Sequence, residues 1–178
     1  MAPITLGTQA AMEPTMVNHR GGVAVTEAFM QLLLRAPGGT AKVLSTLSGV
    51  GARTLDLVSD AFTDPALDPA GLRVLLAGML DELGTDPQHP CHAIPTIGYG
   101  LSKLGVNVYT QILARQHPTL LVNACSPGFT RTELCTNYTG TRVPKDSALG
   151  DTVFGAALFG PLGEAKTRFF PKETSSPG

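Results

Sequence analysis

The run Leu120–Cys125 (LLVNAC) contains a single polar residue, Asn123. A strand with water on one face alternates apolar and polar side chains. A short run that is apolar almost throughout asks for cover on both faces, as in parallel sheets with helices above and below. A second run, Lys42–Leu47 (KVLSTL), reads as a short buried strand ending at Ser48 and a glycine turn. Between them, the segment from Tyr99 to Gln116 places Leu101, Leu104, Val108 and Ile112 at helical spacing, with Gln111 and Arg115 on the outer side. Strand, helix and strand in that order predict a right-handed βαβ crossover and an α/β fold. The predicted sheet is parallel and consists of Lys42–Leu47, Leu120–Cys125 and a last strand, Thr167–Phe170. Helices starting near Thr15, Ile97 and Pro144 pack on it.

The remaining segments fit around this frame. Met1–Pro14 has no clear period and reads as a frayed lead-in or the scar of a missing upstream segment. The stretch from Thr15 sets Val25, Phe29 and Leu32/Leu33 at helical spacing and stops at Ala36-Pro37-Gly38-Gly39, a helix end. The insert from Thr54 to Pro95 holds an amphipathic helix over roughly residues 69–83, introduced by Asp68-Pro69 and expected as a lid beside a crevice. Glu133–Thr141 is expected as a mobile flap, and the tail from Pro171 as frayed.

Composition matters mainly for what it excludes. A chain of 178 residues, 43% apolar and 15% charged, suits one soluble domain over residues 1–178. A net charge of -1 gives no electrostatic footprint for nucleic acid or an anionic membrane. Three cysteines in no C-x-x-C spacing, no apolar run of membrane-spanning length and no signal-peptide pattern point to a cytoplasmic protein. His89, Cys91 and His92 sit close together but lack a fourth ligand at a recognised spacing, and are read as loop residues rather than a metal site.

The chemistry gathers around Tyr99-Gly100-Leu101-Ser102-Lys103. Four residues apart on a helix, the Tyr99 phenol and the Lys103 ammonium share one face. A tyrosine titrating near ~10 is a poor proton donor at neutral pH, and a nearby cation favours the phenolate and moves it toward a useful value. Ser48 stands at the carboxyl end of a strand, where open parallel sheets gather their catalytic groups, and reads equally well as a turn serine bonded to its own backbone. Pro127-Gly128 turns the chain after the second strand, and Thr132 follows. Asn18, near the start of the first helix, is a capping or helix-interior amide when taken alone.

Serine strand, Y-x-x-x-K helix, apolar strand and P-G-x-x-x-T, in that order, resemble the C-terminal half of the short-chain dehydrogenase/reductase family. The long insert between Ser48 and Tyr99 is similar to that of its carbonyl reductase branch. The resemblance spans roughly residues 16–172 and implies a partial Rossmann-like doubly wound parallel sheet. It implies NADPH as cofactor and a small-molecule carbonyl substrate, with no nucleic acid or membrane as partner. It implies Asn18, Ser48, Tyr99 and Lys103 as catalytic residues: Ser48 holds the carbonyl oxygen, Tyr99 delivers the proton and Asn18 supports a relay to Lys103. Tyr99, Lys103, Pro127, Gly128 and Thr132 would touch the cofactor. The family's glycine-rich turn has no counterpart in the sequence, and Leu47 stands where the family usually has a second serine. Two readings follow: a truncated carbonyl reductase, or a non-catalytic fragment or pseudoenzyme that associates, with itself or a partner, through an uncovered sheet edge.

Overall fold

The computed structural model describes residues 13–37, 40–93, 96–135 and 141–159. A π-helical segment, Thr15–Gly21, runs directly into helix α1 (Gly22–Arg35). Strand β1 (Lys42–Thr46) is followed by α2 (Gly49–Leu55), α3 (Pro69–Thr85) and α4 (Ile97–Gln116), then by strand β2 (Leu121–Cys125) and α5 (Ser147–Phe159). The two strands pair in parallel, Lys42 opposite Leu121 through Thr46 opposite Cys125. The expected third strand, Thr167–Phe170, lies outside the described residues.

Both faces of the strand pair are covered, as the apolar run demanded. Val122 and Ala124 are fully buried, and Val122 belongs to the core with Leu101, Leu104, Val108 and Ile112 of α4. By the alternation of a strand, Asn123 points to the other face. There its amide donates to the Ala157 carbonyl of α5 at 2.7 Å, which satisfies the one polar side chain of the run.

The insert helix α3 buries Leu72, Leu76, Met79 and Leu83. Asp68 caps it by accepting from the Gly71 amide at 2.7 Å, with Pro69 at its first turn. The face expected for a lid is therefore part of the core against α4. Two boundaries differ from expectation. The Gly49–Leu55 stretch is a helix rather than a turn, capped by Ser48. The last helix opens at Ser147, because Lys145 pairs with Thr130 in an isolated bridge and Asp146 accepts from the Ala148 amide at the helix start.

The first helix also departs from the simple reading of its period. Val23, Met30 and Leu33 pack against the core, while Val25, Phe29 and Leu32 are 60%, 55% and 62% exposed. Among the described residues, no helix is long and apolar enough to cross a membrane.

Candidate active site

The site is built on the amino-terminal turns of α4 and what packs against them. Gly51 of α2 lies against the backbone of Lys103 and Leu104, and Gly100 of α4 lies against the Thr54 hydroxyl. With two glycines at the crossing, α2 sits directly on α4. Ser48 caps the head of α2. The Ser48 hydroxyl oxygen accepts from the Val50 amide at 3.3 Å, the local backbone bond of the turn-serine reading. A hydroxyl that accepts in this way keeps its own proton to donate.

Tyr99 is 39% exposed, and the Lys103 ammonium lies 5.7 Å from the centre of its ring. Lys103 Nζ donates to the Thr46 carbonyl at the end of β1, at 2.9 Å. Burial lowers the Lys103 pKa from its ordinary value. Asn18 enters from the π-helical segment: its Nδ2 donates to Ser102 Oγ at 3.0 Å, and that hydroxyl donates to the Tyr99 carbonyl at 2.8 Å. The widened turn lets two consecutive side chains reach α4, Asn18 at Ser102 and His19 against Gly105. The line from Asn18 through Ser102 thus ends on the Tyr99 backbone carbonyl, not on the phenol.

Ser102 was not singled out by the sequence reading. The available signal was a small polar residue on the core side of an apolar helix; the structure buries it completely. Ser45 faces elsewhere, its hydroxyl 2.7 Å from that of Thr110, well down α4. Two further ionisable groups stay protonated at neutral pH. Burial pushes the Cys125 thiol up to about 11 and the Tyr109 phenol up to about 12, the latter helped by Glu27.

After β2 the chain turns at Pro127-Gly128, where Gly128 has φ 79°, a conformation that favours glycine. A Cβ at Gly128 would also meet the Lys145 side chain at 2.8 Å. Thr132 is exposed, its carbonyl accepting from the Cys135 amide at 2.9 Å. The expected flap is described only at its two ends: Glu133–Cys135 forms a short 3-10 turn, and residues 136–140 lie outside the described residues. Among the loop residues His89, Cys91 and His92, His89 Nδ1 accepts from the Cys91 amide and Cys91 is fully buried, its thiol pKa raised by burial.

No family model matches the chain. Among curated proteins it is similar to carbonyl reductase [NADPH] 3 of Mus musculus, 30% identical over 125 residues, which is 66% of this chain and 44% of the relative. It is similar also to carbonyl reductase [NADPH] 1 of Mus musculus, 33% identical over 82 residues, 41% of this chain and 29% of that protein. The chain thus spans less than half the length of these relatives. Among solved structures, salutaridine reductase from Papaver somniferum superposes with a TM-score of 0.71 at 24% identity, over 90% of this chain and 54% of that one. That likeness shows the fold. Together with the carbonyl reductase similarity, it makes the chain similar to the short-chain dehydrogenase/reductase family, of the carbonyl reductase kind.

Proposed function

We propose that the chain supplies the proton-donating half of a site that reduces a ketone, aldehyde or quinone to an alcohol with NADPH, in the cytoplasm. The observation that supports this most is Lys103 beside the Tyr99 phenol, 5.7 Å from its ring centre and anchored on the Thr46 carbonyl of β1. In this reading Ser48 donates its proton in a hydrogen bond to the substrate carbonyl oxygen, and Tyr99 transfers a proton to that oxygen as negative charge develops on it. A bound reduced nicotinamide would supply the hydride to the carbonyl carbon.

The residues present fit one end of that cofactor. An ammonium has three donors and Thr46 takes one, so Lys103 has two left for ribose hydroxyls. Pro127, Gly128 and Thr132 line the turn beyond β2 and would contact the nicotinamide end. The glycine-rich turn and helix terminus that hold a pyrophosphate have no counterpart in the sequence. The choice of NADPH rests on the relatives' names, and the compartment on three cysteines that form no disulfide.

Titrating the purified chain with NADPH and following its melting temperature is expected to give little or no shift. A few hydrogen bonds of about 0.5–1.5 kcal/mol each do not replace a phosphate cradle. Fused to the glycine-rich half of a carbonyl reductase, the chain is expected to bind NADPH and reduce a quinone. Tyr99→Phe in that fusion should lower turnover by roughly a hundredfold or more while leaving cofactor binding in place. An active Tyr99→Phe fusion would overturn the assignment of the proton donor. Tight NADPH binding by the chain alone would overturn the half-site reading.

A further inference from the structure

Asn18 and His19 are consecutive, and the widened turn of the π-helical segment brings both to α4, Asn18 to Ser102 and His19 to Gly105. The space above Gly105 is filled by the His19 ring and the Leu76 side chain. The Tyr109 ring closes it edge-on, 6.4 Å from the His19 centroid. His19 is 3% exposed there, and its Nε2 has no hydrogen-bond partner among the described residues. A neutral imidazole tolerates such a slot. An imidazolium would bring a charge and a second N–H into a place that shields it from water and gives Nε2 no acceptor.

The charges that act on the ring add to that cost. Arg20 of its own segment and Arg73 of α3 are both positive. From α4 the ring meets the Tyr109 phenol, which burial and Glu27 of α1 keep protonated up to about pH 12. The element that carries His19 is also lightly tied to the core. Among the described residues, α1 buries no side chain fully, and the segment before it buries Thr15 and His19. α4 buries eleven of its residues. Local stability follows buried contacts, so the segment that carries Asn18 and His19 can open while α4 stays folded.

We propose that His19 is an acid-operated latch: taking up a proton expels its ring from the slot over Gly105, and the π-helical segment opens and takes Asn18 off Ser102 while α4 and the strand pair stay folded. A buried histidine at a site with two packings is a known kind of proton switch. Here the neighbouring residue is the one that reaches the helix bearing Tyr99 and Lys103, so the proton is read out at that helix. The consequence for a relay through Asn18 rests on the proposed function. The latch itself is a property of this chain, and its test needs neither cofactor nor turnover.

Amide hydrogen exchange of the full chain is measured at pH 7, 6 and 5, each rate divided by the intrinsic rate at that pH. The amides of residues 19–22, including the Gly22 amide that donates to the His19 carbonyl, should exchange about tenfold or more faster than those of Leu104 and Val108 at every pH. In the open form His19 titrates near 6.5 and in the closed form at about 4, so opening should become about twentyfold more frequent between pH 7 and pH 5. His19→Phe should abolish that increase. Arg73→Gln, which removes an exposed charge that opposes protonation of the closed form, should reduce it. Asn18→Ala, which deletes the bond to Ser102, should raise opening at each pH and leave its pH dependence unchanged. Exchange at residues 19–22 that matches the α4 amides, or that does not respond to acid, would overturn the latch, as would a twentyfold increase that survives His19→Phe. Unchanged opening in Asn18→Ala would overturn the release of Asn18 with His19.

Discussion

Acidification from pH 7 to pH 4 is expected to remove about 3 kcal/mol of stability through His19 alone. The residue is 3% exposed, wedged between Gly105, Leu76 and Tyr109, and its ring meets that of Tyr109 edge-on with centroids 6.4 Å apart. Burial first, then the charges of Arg20 and Arg73, lower its pKa from 6.5 to about 4. Its Nε2 finds no hydrogen-bond partner among the described residues. The imidazole is therefore neutral in the folded protein, while in the unfolded chain it takes a proton below about 6.5. The unfolded state binds more protons throughout this window, so stability is full above it and falls as the pH drops from 6.5 toward 4. Urea denaturation at pH 7, 5.5 and 4 measures the slope. His19→Phe keeps a ring in the same slot and removes the titration, so the difference between variant and wild type should grow with acid. Equal losses in the two proteins would show that His19 is not the group responsible. The same substitution also removes a buried unpaired nitrogen, and is expected to be neutral or stabilising at pH 7.

What the sequence revealed of this fold follows from where a local pattern had a single solution. The strand at Leu121–Cys125 and the twenty-residue helix beside it were legible because an apolar run and a sustained 3.6-residue period each exclude alternatives. Gly49–Leu55 was not, since two glycines in seven residues argue for a turn on propensity. The helix forms there because Ser48 caps it and because α4 accepts a backbone at contact distance only where a Cβ is missing. For the same reason the outward stripe Val25, Phe29 and Leu32 could not be told from the packed set Val23, Met30 and Leu33: both follow a helical period, and only the neighbours decide which is covered. At the site, only the shared face of Tyr99 and Lys103 follows from their four-residue spacing. The coupling of Asn18 to Ser102 depends on a π-helical segment at residues 15–21, for which no sequence rule was at hand.

A methyl group added at Gly51 should do more damage than the change suggests, and the same methyl at Gly49 almost none. A Cβ at Gly51 would lie 2.7 Å from the Lys103 carbonyl carbon and 2.8 Å from the Leu104 nitrogen. These are backbone atoms of a buried helix and cannot rotate aside, so α2 has to lift away from α4 as a unit. Overpacking of this kind costs about 1–3 kcal/mol, against which alanine's better helix propensity returns less than about 1 kcal/mol. Nothing lies within 4 Å of a Cβ at Gly49, two residues earlier in the same helix. Gly49→Ala is thus the internal control, with the same gain in propensity and no collision. Thermal melts should place Gly51→Ala several degrees below the wild type, roughly 2–4 °C per kcal/mol for a chain of this length, and Gly49→Ala at or slightly above it. The lifted helix also moves Ser48, its capping residue. In the fused enzyme, Gly51→Ala should accordingly lower kcat as well as stability, by the misplacement of a group that α2 holds in position. Melting curves for Gly51→Ala and Gly49→Ala that coincide would mean that α2 and α4 are not in contact at Gly51, and the positioning of Ser48 by that contact would be lost with it.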